Sequence, residues 1–127
     1  MELNPNDVLS KYSLALTLIE RKIEPEKTIS ILEDALSINP DYSDAHYQLG
    51  KIYLEKSDVQ KAIEHLEKAV SSDSTKDYSH YQLSIAYRKA SRKEDADREL
   101  KLYQKLKAEN RKIEPTAPMG NNANSPN

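Results

Sequence analysis

Apolar residues recur at intervals of three and four along most of the chain, the mark of helices with one buried stripe. Leu49, Gly50, Tyr53 and Leu54 keep that spacing, and Ile63, Leu66, Ala69 and Val70 take it up again after a short polar break. The pattern predicts helices near residues 7–22, 26–37, 42–55, 59–71, 77–90 and 93–110. The punctuation between them agrees. Ser57-Asp58 offers a side-chain oxygen to the orphan amides opening the fourth helix. Pro25 suits a first helical turn. Asn39-Pro40-Asp41 closes the first pair of helices, because the residue before a proline is pushed out of helical geometry.

The pattern also repeats at longer range. His46-Tyr47-Gln48-Leu49 returns as His80-Tyr81-Gln82-Leu83, 34 residues later. The register then holds, pairing Gly50 with Ser84, Ile52 with Ala86, Tyr53 with Tyr87, Ala62 with Ala96 and Leu66 with Leu100. A more worn copy precedes these, with Leu14, Ala15 and Leu18, then Thr28, Leu32 and Ala35. One extra residue near Lys22-Ile23-Glu24 separates its halves. Ala15, Gly50 and Ser84 fall where the two helices of a hairpin must approach closely, and Ala62, Ala69 and Ala96 serve the same end on the second helix. No single hairpin can bury its own stripe, so stacking of neighbours supplies the core.

These residues resemble the tetratricopeptide repeat, a 34-residue helix–turn–helix carrying an aromatic-x-x-Leu-Gly-x-x-Tyr run, then Ala-x-x-x-Phe, then Pro. The middle copy supplies His46, Leu49, Gly50, Tyr53, Ala62 and Leu66, and the third supplies His80, Leu83, Ser84, Tyr87, Ala96 and Leu100. The first keeps less of the pattern, with Lys11, Leu14, Ala15, Leu18, Thr28 and Leu32, but retains the closing Pro40. The resemblance implies an all-α fold: a right-handed solenoid of three helical hairpins, capped by a long last helix. It also implies a protein-binding or scaffold role, with the first helix of each hairpin lining a concave groove.

The expected organisation is a repeat domain over 7–112, with repeats at about 7–41, 42–76 and 77–112. Leu3-Asn4-Pro5 echoes Ile38-Asn39-Pro40, so residues 1–6 read as the end of a preceding repeat or a linker. Tyr103 stands where Ala35 and Ala69 stand in the earlier copies, which marks the end of the array. Residues 113–127, with three prolines and four asparagines, have no means of burying a core and read as a disordered tail.

Composition narrows the function. There are 21 acidic and 19 basic residues, so the net charge of −2 gives no general pull toward nucleic acid or an anionic membrane. With no cysteine there is no disulfide and no thiolate chemistry. No window approaches the ~18 apolar residues of a membrane span. A soluble chain is expected, with a cytoplasmic setting favoured.

No Ser/His/Asp set, glycine-rich phosphate loop or carboxylate pair stands out, so no catalytic site, cofactor or metal is expected. His46 and His80 read as polar-tipped fillers of a helix seam, since repeats ~10 Å apart cannot bring both to one ion. His65 reads as part of a solvated face.

All the aromatic content is eight tyrosines, and their placement is informative. At about 100° per residue, Tyr12, Leu16 and Ile19 lie to one side of the first core stripe. Tyr47, Lys51 and Leu54 match them in the second copy, and Tyr81, Ile85 and Arg88 in the third. Leu9, Asp44 and Tyr78 come one turn earlier. This tyrosine ladder, flanked by Gln48, Gln82, Lys51 and Arg88, is the candidate groove for a peptide, since tyrosine gives large contact area at low entropic cost. The plainer reading is that the rings pack neighbouring first helices together, and both uses can hold at once. A chaperone-binding version of the family grips a C-terminal carboxylate with lysines and asparagine. Ser13, Leu16, Asp44, Gln48, Tyr78 and Gln82 line the groove here, so that ligand is not expected.

Two other readings compete. Arg92–Lys112 holds eight basic residues against five acidic, which raises RNA contact, but Glu94, Asp95, Asp97 and Glu99 interrupt the patch and disfavour it. Leu102, Leu106 and Ile113 offer a route to weak self-association, as a structural spacer.

Overall fold

The computed structural model describes residues 7–22 and 24–113, with the side chains of Lys112 and Ile113 left aside. The expected terminal segments, 1–6 and 114–127, lie outside the described residues. The described chain forms helices α1 (Val8–Glu20), α2 (Pro25–Ile38), α3 (Ser43–Glu55), α4 (Val59–Ser72), α5 (Asp77–Lys89) and α6 (Lys93–Ile113). Each lies within a few residues of its sequence-based bounds. Helix α6 is 21 residues long where α2 and α4 are 14, so the expected extension of the last helix is present.

Helices pair as α1 with α2, α3 with α4 and α5 with α6, while α2 meets α3 and α4 meets α5. That is a solenoid, each hairpin packing on the next. The turns inside the second and third hairpins are the same device. Ser57 and Ser91 take left-handed backbone (φ 64° and 62°), and the helix ends fold back through Asp58 N–H to Tyr53 C=O and Arg92 N–H to Tyr87 C=O, both 2.8 Å. In the first hairpin Lys22 and Glu24 take positive φ (55° and 39°) around the extra residue. Asp58 caps α4 through the backbone amide of Lys61, and Pro25 opens α2, as expected.

The core is continuous through the hairpins: Ala15 and Leu32, then Leu49, Ala62 and Leu66, then Leu83, Ala86 and Ala96 are buried. Gly50 is required by close approach. A Cβ there would lie 2.4 Å from Leu66 Cγ, a branch atom held inside the core. Equivalent apolar positions differ at the outer face of the first hairpin. Leu49 and Leu83 are 0% and 2% exposed against the preceding second helix, whereas Leu14 is 50% exposed. At the other end, Asp97 and Gln104 occupy α6 positions held by Ile29 and Leu36 in α2 and by Ile63 and Val70 in α4.

Candidate functional site

The ladder is built by α1, α3 and α5, whose matching registers bring Tyr12, Tyr47 and Tyr81 to equivalent places. Each ring meets a second tyrosine. Tyr12 packs edge-on against Tyr42 (5.3 Å between centroids, 84°) and Tyr47 edge-on against Tyr78 (4.7 Å, 62°), while Tyr81 meets Tyr103 at a tilt (4.9 Å, 45°). Six of the eight tyrosines are thus in pairs. Tyr53 and Tyr87, the repeat's own core tyrosines, account for the others. The Tyr47–Tyr78 pair ties α3 to α5, so the packing reading holds there. The rings still keep a face to solvent, with Tyr78 and Tyr81 38% and 41% exposed.

Tyr12, Asp44, Tyr47, Gln48, Lys51 and Tyr78 together line one open depression of about 370 Å³. Half of the twelve expected groove residues therefore meet at one place, contributed by three different helices. Gln48 Nε2 donates to the Tyr12 hydroxyl at 3.4 Å, and the Lys51 ammonium sits 5.4 Å from the Tyr47 ring centroid. Burial, and then the charge of Asp44 against the help of Gln48, push the Tyr12 phenol up to about 12. Tyr42, Tyr47 and Tyr78 are also raised, in each case first by burial. The rings therefore stay neutral, offering π faces and O–H donors across the physiological range.

The other expected residues are spread. Tyr81, Ile85 and Arg88 line a separate hollow with Ser84, Lys89 and Leu100. Ile19 belongs to a third, beside Leu18, Lys22, Pro25, Thr28, Ile52 and Glu55 at the turn end. Leu16 and Gln82 are half-buried and line none of these hollows. Sequence reasoning missed Tyr42. The sequence pattern makes it the first residue of a helix over 42–55, whereas it is the extended residue that precedes α3.

Two expectations about charged side chains are corrected. His65 is not on a solvated face: it stacks on Tyr53 (5.7 Å, 11°), and its Nδ1 lies 3.1 Å from His46 Nδ1. A ring at the edge of α4's apolar stripe lies flat against α3 and is covered there. Glu99 does not interrupt a surface patch, because it is buried and its Oε1 lies 2.7 Å from His80 Nδ1. The sequence held a signal for both, since 19 residues separate each pair (46 to 65, 80 to 99). His46 and His80 are seam residues as expected: their Nε2 atoms donate to the carbonyls of Pro40 and Ser74, at 2.8 and 2.9 Å, in the loops joining successive hairpins. Among the described residues no group of three or more His, Asp or Glu is placed to hold a metal ion, and no helix is long and apolar enough to cross a membrane.

Comparison with known proteins agrees with this architecture. A family model described as tetratricopeptide repeat matches residues 24–73, from the start of α2 to the end of α4. Over those residues the chain matches the tetratricopeptide-repeat family. A search of the curated proteins finds no match. Among solved structures, crystal structures of MamA superpose on these repeats with TM-scores of 0.78 and 0.73 at 24% and 25% identity, covering 87% and 88% of the chain. The chain spans 64% and 61% of the length of those two MamA chains. The second tetratricopeptide domain of Spaghetti (RPAP3), solved with the HSP90 peptide SRMEEVD, superposes with a TM-score of 0.75 at 12% identity, over 81% of this chain and 94% of that one. At such identities these likenesses describe the fold: a tetratricopeptide solenoid of three hairpins.

Proposed function

We propose that the chain is a protein-recognition module that holds an extended or helical peptide segment on the face formed by α1, α3 and α5. The observation that carries this reading is the convergence of Tyr12, Tyr47 and Tyr78 with Asp44, Gln48 and Lys51 around one open depression. Tyrosines with one face covered and one free are stiff and amphipathic, the kind of side chain that anchors partners in interfaces. A repeat of the same fold holding a peptide in the Spaghetti structure supports the general mode, although the lining residues here differ in kind from a carboxylate clamp.

The role is binding rather than catalysis, and it needs no cofactor. RNA contact is the weaker reading, because carboxylates answer the arginines at the end of α5 and the start of α6. Arg92 and Arg98 both pair with Asp95, at 2.8 and 2.5 Å, and Arg88 stands 3.8 Å from Asp97. Self-association through α6 rests on Leu102, 38% exposed beside the half-buried Leu106, and concentration-dependent light scattering tests it.

The main reading is tested by affinity capture from native lysate, comparing wild type with a Tyr12/Tyr47/Tyr81→Ala variant. Circular dichroism confirms that the variant is folded. A protein held by wild type and lost by the folded variant supports the groove. Equal capture by both assigns the ladder to packing alone.

A further inference from the structure

The depression between α1, α3 and α5 contains a charge that nothing in the fold answers. Asp44 is half-buried, and its carboxylate makes no hydrogen bond or ion pair with any described residue. Around it stand the rings of Tyr12, Tyr47 and Tyr78. Its field reaches three phenols, those of Tyr12, Tyr42 and Tyr78, each raised first by burial and then in part by this carboxylate. The cation in the same depression, Lys51, does not neutralise it. Seven residues along α3 separate the two by about 10 Å of helix rise, and the Lys51 ammonium lies over the Tyr47 ring, 5.4 Å from its centroid.

A carboxylate walled by neutral aromatic faces is complementary to one chemistry above others. An arginine or lysine side chain can lay its alkyl stem on the rings, gain from their quadrupoles and end on the carboxylate. A carboxylate ligand would meet repulsion at this point. The loop edge of the face reinforces the sign: Asp77 opens α5 beside Tyr47 and Tyr78, and Asp7 precedes α1 beside Tyr42. Lys76 and Asp73 also act on Tyr78, with opposite signs. The first-turn positions of Asp44 and Asp77 would be favoured by the helix dipole in any protein. The three tyrosine walls around Asp44 are what that ordinary reason leaves unexplained.

Resting on the peptide-binding reading above, we infer that this depression is a subsite for a basic side chain: Asp44 pairs with an arginine or lysine of the bound segment while Tyr12, Tyr47 and Tyr78 enclose its stem. The polarity along α3, acidic at Asp44 and basic at Lys51, also sets the direction of the segment. Its basic residue lies toward the loop edge.

Selection from a random dodecamer phage library on the wild-type chain tests this, followed by affinities of the enriched peptides made synthetically. The expected result is enrichment of peptides with one arginine or lysine that binding needs. Replacing that arginine by citrulline, or Asp44 by Asn, then weakens binding roughly tenfold with the melting temperature unchanged. Peptides that the folded Tyr12/Tyr47→Ala variant fails to bind, but that Asp44→Asn binds as wild type does, sink the basic subsite and leave the groove standing. Enriched peptides that bind the folded tyrosine variant as well as wild type, or no enrichment at all, sink both.

Discussion

The second and third hairpins place the same pair of positions at the same seam and fill them differently. In the second, His46 faces His65 across α3 and α4; in the third, His80 faces Glu99 across α5 and α6. Each first-helix histidine spends one ring nitrogen on the carbonyl of the preceding loop. What remains is Nδ1, and its partner decides the chemistry. Between two imidazoles a neutral pair needs no net charge, since His65 donates to the lone pair of His46. Between imidazole and carboxylate, Nδ1 and Oε1 meet at 2.7 Å, with both side chains at most one-tenth exposed. One repeat frame thus carries a neutral seam in its middle and an ionic one at its end, and the two fail in different ways.

The largest effect is expected from breaking the ionic seam. Glu99→Ala leaves a buried histidine facing a void and should cost about 3 kcal/mol, a fall in melting temperature on the order of 15 °C. His65→Ala, at the neutral seam, removes a half-exposed ring and should cost about 1 kcal/mol. Thermal melts of both variants check the ratio. Equal losses would mean that the two seams are energetically alike despite their chemistry.

Next comes the close approach beside the same seam. Gly50 and Ser84 are equivalent, and at Gly50 there is no room for a Cβ. Gly50→Val drives a side chain into Leu66 and should cost about 2 kcal/mol. Ser84→Ala removes a hydroxyl bonded only to the Tyr81 carbonyl of its own helix, and should change little. Urea unfolding at equal slope measures both. A Gly50→Val variant as stable as wild type would falsify the account of why this position is glycine.

A smaller effect separates the seams by pH. Burial lowers both His46 and His65, and His65 is lowered further by His46. The unfolded chain therefore takes up protons before the folded one does. The contribution of this pair is whole above the ordinary histidine value of about 6.5 and is lost as pH falls below it. Melting temperature should drop between pH 7 and pH 5, and His65→Leu should flatten that drop. Lys61, Lys68, Glu64 and Asp41 act on the pair in both directions, so the slope belongs to the whole seam. A His65→Leu profile parallel to wild type would assign the acid loss elsewhere.

Much of this was legible in the sequence, and what was not has a physical reason. Helix period, repeat register and small residues gave the hairpins, because stacking imposes the same demand at every copy. The ladder's registers gave Tyr12, Tyr47 and Tyr81 a common face with Tyr78 one turn before Tyr81, and α3's own periodicity placed Asp44 and Lys51 at either end of Tyr47. Hidden were contacts between elements whose relative rotation no single helix reports. His65 and Glu99 look like surface residues on a wheel of α4 or α6, and only the neighbouring helix covers them. Tyr42 escaped because the pattern makes it the start of a helix, while its extended backbone just before α3 turns the ring toward Tyr12. Ile19 and Tyr81 share the ladder's register yet line different hollows, since equivalence in sequence fixes direction from the axis but not which neighbour closes the space.

The smallest effect tests whether burial, rather than geometry, distinguishes the ionic seam. Lys56 and Glu26 also form an ion pair between hairpins, with Lys56 Nζ 2.5 Å from the Glu26 carboxylate, closer than His80 to Glu99. Its side chains are 38% and 74% exposed, against 3% and 10%. The hydrogen bond from Lys56 holds the Glu26 carboxyl below its usual value, so any contribution is present at neutral pH and fades as the solution is acidified through the carboxylate range. Water and salt screen such a pair, and fixing two long side chains costs entropy that offsets the attraction. Lys56→Ala should therefore leave the melting temperature within about 1 °C of wild type, at low and high salt alike. A loss approaching that of Glu99→Ala would show that contact distance, and not removal from water, governs ion pairs along this solenoid.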